Sequence, residues 1–367
     1  MIEECMETAE HVLPGHPDKL CDAAVDTIAE VVRQGDPAGQ CGLEAACVFD
    51  TFHLTGRIAA HREVLDRLDI EGLIRQAWRE AGYGIDSAGR PWGPAPEELE
   101  ITTRLCFGEF AEGEREARHL SDDQAICVGY AGPLASCDHL PPAVWLARRI
   151  ARRLFALRRE RGAGELGPDG KVLVTVARRG ERWRPVVVSL SLHHHEDSDW
   201  LHLRQIAEEA VESACTGLPV PRIRVNAAGM FIAGGPNGDN GLAGKKLVVD
   251  AYGAGIPIGG GAWSGKDLQK VDRLGGLLAR DLALRAVRGG LAREARVTLS
   301  YHPGSDRPEQ VDILLDGAPA GPDVLDRLGA PALDNRTVWQ RYVRCPVPLP
   351  ELARWGHQQE GTPWEWR

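Results

Sequence analysis

The chain has 367 residues, 43% of them hydrophobic and 26% charged, with a formal net charge of −10. That size and composition describe a globular protein of two or three domains, with no apolar run long enough to span a membrane and no overall positive field for nonspecific nucleic-acid binding. The acidic opening MIEECMETAE lacks the apolar core of an export signal, and nine scattered cysteines without a C-x-x-C pair read as reduced cytoplasmic thiols.

In chain order, Leu20, Ala24, Ile28, Val31 and Val32 recur at helical spacing and predict a helix over 17–33, with Pro17 in a first turn that needs no backbone N–H. Residues 42–59 read as a hairpin, 62–82 as a second helix and 101–107 as a strand. The order then recurs: a helix over 142–161, strands over 171–177 and 185–192, a helix near 200–215 and a strand over 222–226. A third pass gives a helix over 268–289, strands over 296–302 and 309–316, and a short helix over 323–329. Three such rounds predict an α+β fold of three similar subdomains, dividing the chain at 1–107, 108–221 and 222–367.

The polar stretch GEFAEGEREARHLSDD (108–123) has no periodicity and is expected as a mobile active-site loop. Arg148, Arg149, Arg152, Arg153, Arg158, Arg159 and Arg161 are expected on a solvated basic face of their helix, an RNA or phosphate surface being the other reading. HHHED (193–197) is expected as a surface histidine cluster, because successive strand residues cannot all face one ion.

Three clusters carry chemistry. PGHPDKLCD (14–22) sets His16, Asp18 and Lys19 where a glycine turn enters the first helix. Spare backbone donors there suit an anion, and Asp18 suits an accompanying magnesium ion, although a plain capped helix start would hold the same residues. GGPNGDNGLAGKK (234–246) brings five glycines that let backbone approach a ligand, with Asp239, Lys245 and Lys246. GAGIPIGGGAWSGKDLQKVDR (253–273) places Lys266, Asp267, Lys270 and Asp272 within seven residues. Its GGAWSGKD fits a P-loop until the last position, where Asp267 replaces Ser or Thr and would repel a polyphosphate unless a metal lay between. A dinucleotide-binding reading of Gly253, Gly255 and Gly259 fails on spacing and on Pro257. Together the clusters describe a pocket for a magnesium-bound polyphosphate.

In this order, the clusters resemble the motifs of the S-adenosylmethionine synthetase (methionine adenosyltransferase) family, joined by SDDQAICVGYA (121–131), LGPDGKV (166–172) and WGH…PWE (355–365). The resemblance spans nearly the whole chain. It implies three α+β subdomains related by pseudo-threefold symmetry and a homodimer with shared active sites, often paired into a tetramer. It further implies that the sulfur of methionine attacks C5′ of ATP, and that the displaced tripolyphosphate is hydrolysed to pyrophosphate and phosphate, with Mg2+ and K+ assisting. By the same resemblance His16 lies near the departing oxygen. Lys171, Lys246 and Lys266, with Lys245 beside them, hold the phosphates. Phe231 stacks on adenine, while Asp169 and Ala262 line the nucleotide site. Lys270, Asp239 and Asp123 belong at the amino-acid or nucleoside end. Asp18, Asp272 and Glu10 are placed on the magnesium side, and Glu44 at potassium.

Several positions depart from the family. Arg57 stands where the family has a glutamate for the methionine ammonium, and a cation cannot hold another cation there. GEFAEGE is shorter than the family's loop and lacks its glutamine; Lys245 and Met230 replace arginines, and Pro14 a glutamate. The ATP half is retained and the amino-acid half altered. Three functions follow: a methionine adenosyltransferase in which another group takes the ammonium, an adenosyltransferase for a different thioether or nucleophile whose carboxylate pairs with Arg57, or a noncatalytic regulatory paralogue.

Overall fold

The computed structural model describes residues 4–160 and 164–365; Arg161 and the first three residues of the opening stretch lie outside the described residues. Among the described residues, three four-stranded sheets are each backed by helices, an α+β fold of three similar units. Gln40–Val48 and Thr51–Ala59 form the hairpin of the first sheet, with Glu100–Gly108 parallel on one side and Gly241–Leu242 on the other. Gly170–Arg179 and Arg182–Leu192 lie between Cys5–Val12 and Arg222–Val225 in the second. The third runs Ala318–Pro319, Gln310–Leu315, Ala295–Tyr301, Ala125–Ala131.

Each sheet thus takes one edge strand from a distant part of the chain, and the units interlock. Neither Cys5–Val12 nor Ala125–Ala131 has a strand pattern in the sequence: the first mixes exposed and buried positions irregularly, and the second buries all but one residue. The helix Pro17–Gly35 packs on the first sheet and on Ile70–Ala81, and its core runs on into the helix Val271–Arg288 and the third sheet. Pro142–Glu160 and Trp200–Ala214 cover the second sheet around a separate core.

Several local expectations are corrected. Residues 62–82 are two helices: Arg62–Leu65 is one turn, and Asp69, accepting from the Gly72 N–H at 2.9 Å, caps Ile70–Ala81. The helix expected at 323–329 is the turn Val324–Arg327, and Leu247–Asp250 is a helical turn within KKLVVDAY. Asn335–Tyr342 and Leu349–Trp355 are helices of 8 and 7 residues, too short to show a period. The basic face of Pro142–Glu160 is not wholly solvated. Arg148 donates to the carbonyl and side chain of Gln358 at 3.1 and 3.0 Å, and Arg158 to the carbonyls of Leu166 and Gly82 at 3.0 and 2.8 Å. Buried acceptors, rather than water, take these two guanidiniums. No described helix is long and apolar enough to cross a membrane.

Candidate active site

The turn into the first helix packs against the stretch 166–171. The Gly15 N–H donates to the Pro168 carbonyl at 3.1 Å, and a Cβ on Gly15 would lie 2.5 Å from that of Pro168, so only glycine fits. His16 caps the helix, its Nδ1 accepting from the Asp18 N–H at 3.2 Å. That bond assigns the proton of the neutral ring to Nε2. Burial lowers the His16 pKa to about 3, against the pull of Asp18 and with help from Lys246 and Lys171. The ring is therefore a neutral hydrogen-bond donor at physiological pH.

Asp18, Asp22 and Asp26 follow one another at four-residue spacing on one face of that helix. Each carboxylate accepts a backbone N–H from a glycine-rich segment: Leu242 at 2.9 Å, Gly244 at 2.7 Å and Gly265 at 2.8 Å. Lys246 lies 2.7 Å from Asp18, Lys19 lies 3.2 Å from Asp22, and Arg273 grips Asp26 with bonds of 2.8 and 2.9 Å. Burial works to raise the Asp18 carboxyl, yet the Lys246 ammonium and the Leu242 N–H outweigh it and hold its pKa below the ordinary value. Lys19 is fully buried, pairs also with Asp250 and donates to the Ala353 carbonyl at 2.7 Å, so this lysine braces the core. The sequence reading missed Asp22, Asp26 and Arg273; acidic residues four apart in an otherwise apolar helix are the signal that marks the first two.

In the second glycine-rich segment Lys266 bridges to Gly42 of the first sheet, and its ammonium lies 2.5 Å from Asp272. A Cβ on Gly261 would fall 2.0 Å from the Asp272 carboxylate, so backbone wraps that group closely. Lys270 immediately precedes the helix Val271–Arg288, and its ammonium pairs with Asp122. Asp267, the residue that spoiled the P-loop match, is 7% exposed and faces the fold. It accepts from the Cys41 N–H at 2.9 Å, the Gln269 N–H at 2.8 Å and Arg118 at 2.6 Å. It braces the loop from behind.

Arg57 stands directly across the sheet from Gly42, on the same face, and a Cβ on Gly42 would lie 3.9 Å from the Lys270 ammonium. Its guanidinium donates to Gln40 at 2.8 Å and to both oxygens of Glu114 at 2.7 Å. Glu114 begins a helical turn, Glu114–Ala117, inside the 108–123 stretch. Arg115 fastens the same stretch to Asp36 through bonds of 3.0 and 2.6 Å, and Arg118 fastens it to Asp267.

On the other side of His16, Asp169 is 3% exposed and accepts the Gly235 N–H at 2.8 Å. Burial raises its pKa to about 6, opposed by the Gly235 and Gly170 N–H groups and by Lys171. Phe231 exchanges bonds with His194, its N–H donating to Nε2 at 3.1 Å and its carbonyl accepting the His194 N–H at 3.0 Å. Its ring centre lies 5.6 Å from that of His193. The HHHED stretch is thereby corrected: His193 and His194 are buried, because the strand end runs beneath Trp92 and the 231–235 segment. A Cβ on Gly244 would meet Ala262 at 2.4 Å, which puts the two glycine-rich segments in contact.

Electrostatically, His16 is coupled to Asp18, Lys246, Lys171 and Asp239, and Lys245 stands 4.0 Å from Asp18. Asp123 and Asp272 line a cavity of about 630 Å³ with Gly260 and Gly261. Glu10 and Glu44 stand on exposed faces of the second and first sheets opposite Leu173 and Thr55, and make no hydrogen bond or ion pair among the described residues. No three His, Cys, Asp or Glu side chains converge as an all-protein metal cage among the described residues. Asp18 and Asp272, each a single carboxylate beside a lysine, nevertheless fit a magnesium ion that completes its shell with phosphate oxygens and water.

Comparisons with known proteins point to one family. The N-terminal, central and C-terminal domains of S-adenosylmethionine synthetase match residues 4–93, 118–231 and 233–323. An S-adenosylmethionine synthase of Methylobacterium radiotolerans is 34% identical over 370 residues, covering 95% of this chain and 91% of the relative. One from Prochlorococcus marinus is 34% identical over 361 residues, covering 89% and 82%. The solved structure of an unusual S-adenosylmethionine synthetase from Campylobacter jejuni superposes with a TM-score of 0.84 at 26% identity, covering 98% of this chain and 96% of that one. The chain belongs to the S-adenosylmethionine synthetase family and has its fold.

Proposed function

We propose that this chain transfers the adenosyl group of ATP to the sulfur of methionine, giving S-adenosylmethionine and displacing tripolyphosphate, which water then hydrolyses to pyrophosphate and phosphate while it is still bound. The observations that carry this reading are the pairing of Lys246 with Asp18 beside a neutral His16, and the like pairing of Lys266 with Asp272 in the second glycine-rich segment. A polyphosphate entering the site takes the two lysines, and the carboxylates they leave are the natural holders of Mg2+. When bound, that ion neutralises charge on the leaving polyphosphate.

A thioether sulfur carries no proton, so the transfer needs no general base. Its barrier lies in the charge developing on the departing oxygens, where preorganised donors act most strongly. His16 supplies its Nε2–H to the oxygen leaving C5′, and Lys171, Lys245, Lys246 and Lys266 stabilise the phosphates. Asp169, Phe231 and Ala262 hold the nucleoside; Lys270, Asp239 and Asp123 receive the amino acid. Glu44 is assigned to K+, and Glu10 to the magnesium side. We assign the protein to the cytoplasm, as a homodimer with shared sites that can pair into a tetramer. Phe107, exposed on the first sheet, Phe49 in the turn of its hairpin, and Met6 and Leu173, exposed on the second sheet, favour a partner subunit there.

The reading with a different acceptor rests on Arg57 pairing with a substrate carboxylate. Arg57 already has Glu114 as counter-ion, which reduces what such an acceptor would gain. A noncatalytic paralogue has no evident reason to keep the phosphate-side lysines. The test incubates purified protein with ATP, Mg2+ and K+, with and without methionine, and follows products by mass spectrometry and phosphate release. S-adenosylmethionine that depends on methionine supports the proposal. Triphosphate release stimulated only by another thioether, or ATP binding without turnover, defeats it.

A further inference from the structure

A cavity of about 250 Å³ lies behind the 108–123 stretch, lined by Arg115, Arg118, His119, Gln269, Arg336 and Trp339, with Glu116 as the one carboxylate on its wall among the described residues. Three guanidiniums facing one space repel one another unless anions balance them. Arg115 and Arg118 have theirs, Asp36 and Asp267, which do not line the cavity. Arg336 makes no ion pair among the described residues, and its terminal nitrogen meets the His119 Nδ1 at 3.2 Å. Arg118, 8% exposed, has a buried Nε without a hydrogen-bond partner. A buried N–H left without an acceptor carries a desolvation cost that a bound acceptor would remove.

We propose that this cavity is a second anion site, built for a phosphate group. Arginine is the side chain suited to phosphate, since its planar fork gives paired charge-assisted hydrogen bonds. Arg336 supplies the unneutralised charge, Arg118 the unsatisfied donor and Trp339 a flat wall. The site is separate from the lysine loops and stands or falls independently of adenosyl transfer. Its occupant is one side chain away from the loop, because Arg118 reaches from the cavity to Asp267, next to Lys266.

The experiment titrates the purified protein with inorganic phosphate, pyrophosphate or AMP at constant ionic strength and reads tryptophan fluorescence. A saturable change is expected that is absent in Trp339→Phe, weakened at least about tenfold in Arg336→Gln and retained in Lys266→Gln. Arg336 is exposed on a helix surface, so its replacement leaves the fold intact, and basal activity without added anion should be unchanged. The probe of lowest midpoint identifies whether the site takes free phosphate, a polyphosphate or a nucleotide. The proposal is overturned if no probe gives the change, if the change survives both cavity variants, or if it disappears in Lys266→Gln, which would place the anion at the lysine loops.

Discussion

Both carboxylate oxygens of Glu114 lie 2.7 Å from one terminal nitrogen of Arg57, so this cation is neutralised by the stretch of chain packed beside it. The two side chains are 33% and 30% exposed, which limits the pair's contribution to stability to about 1 kcal/mol or less. Its effect on the site should be larger. Arg57→Gln and Glu114→Gln are each expected to leave the melting temperature nearly unchanged while raising KM for methionine several-fold, with KM for ATP unaffected. Steady-state kinetics on both substrates decides this; a parallel rise for ATP would mean that the pair serves the whole fold.

Arg118 and Asp267 form a different kind of pair, both buried. Removing one partner of a buried pair leaves an uncompensated charge, which costs about 3–5 kcal/mol. Arg118→Gln and Asp267→Asn should therefore each lower the denaturation midpoint markedly, and the double variant should lose less than the two losses added together. Additive losses in a chemical denaturation series would refute the coupling.

Lys266, which we assign to the charge developing on the leaving polyphosphate, is in contact with Asp272 at 2.5 Å. Lys266→Gln is expected to reduce kcat about 10²–10³-fold, the range measured for removing a single preorganised donor, with little change in KM for methionine. Pre-steady-state product formation is the check, and a pure KM effect would assign this lysine to ground-state binding.

The pKa values of His16 and Asp169 separate their contributions to the pH profile. His16, lowered to about 3, stays neutral from pH 5 to 8 and contributes no ionisation there. Asp169, raised to about 6, is ionised above that pH and protonated below it, so its hold on the Gly235 N–H weakens as pH falls through 6. We expect kcat/KM for ATP to decline on the acid side with an apparent pKa of about 6 and to lose that limb in Asp169→Asn. His16→Ala should depress kcat about 10²-fold at every pH and keep the limb. The opposite pattern, a limb that vanishes with His16, would show that the imidazole titrates in the working range.

Much of this molecule is legible in its sequence. The helix Pro17–Gly35 and the hairpin from Gln40 to Ala59 follow from period and composition, because each is an autonomous pattern of apolar residues. The glycine-rich segments announce backbone that must approach a ligand, and their lysines and carboxylates announce charge. These properties are local, and local chain chemistry decides them.

What folding alone decides is which of those charges meet. Lys19 and Asp18 are neighbours in sequence, yet one closes a core network with Asp22 and Asp250 while the other receives Lys246 at the site, because successive helical residues point about 100° apart. Asp267 turned inward to Arg118, although its place in the motif suggested a phosphate-facing carboxylate. Arg57 reads as a reversed charge in one dimension and is half of a neutral pair in three, since Glu114 lies 57 residues away along the chain. The edge strands Cys5–Val12 and Ala125–Ala131 exist because distant strands supply their hydrogen-bond partners. Pairings between remote residues have no signature in either partner's neighbourhood; they are fixed when interlocking sheets bring the groups together and burial makes an unpaired charge too costly to keep.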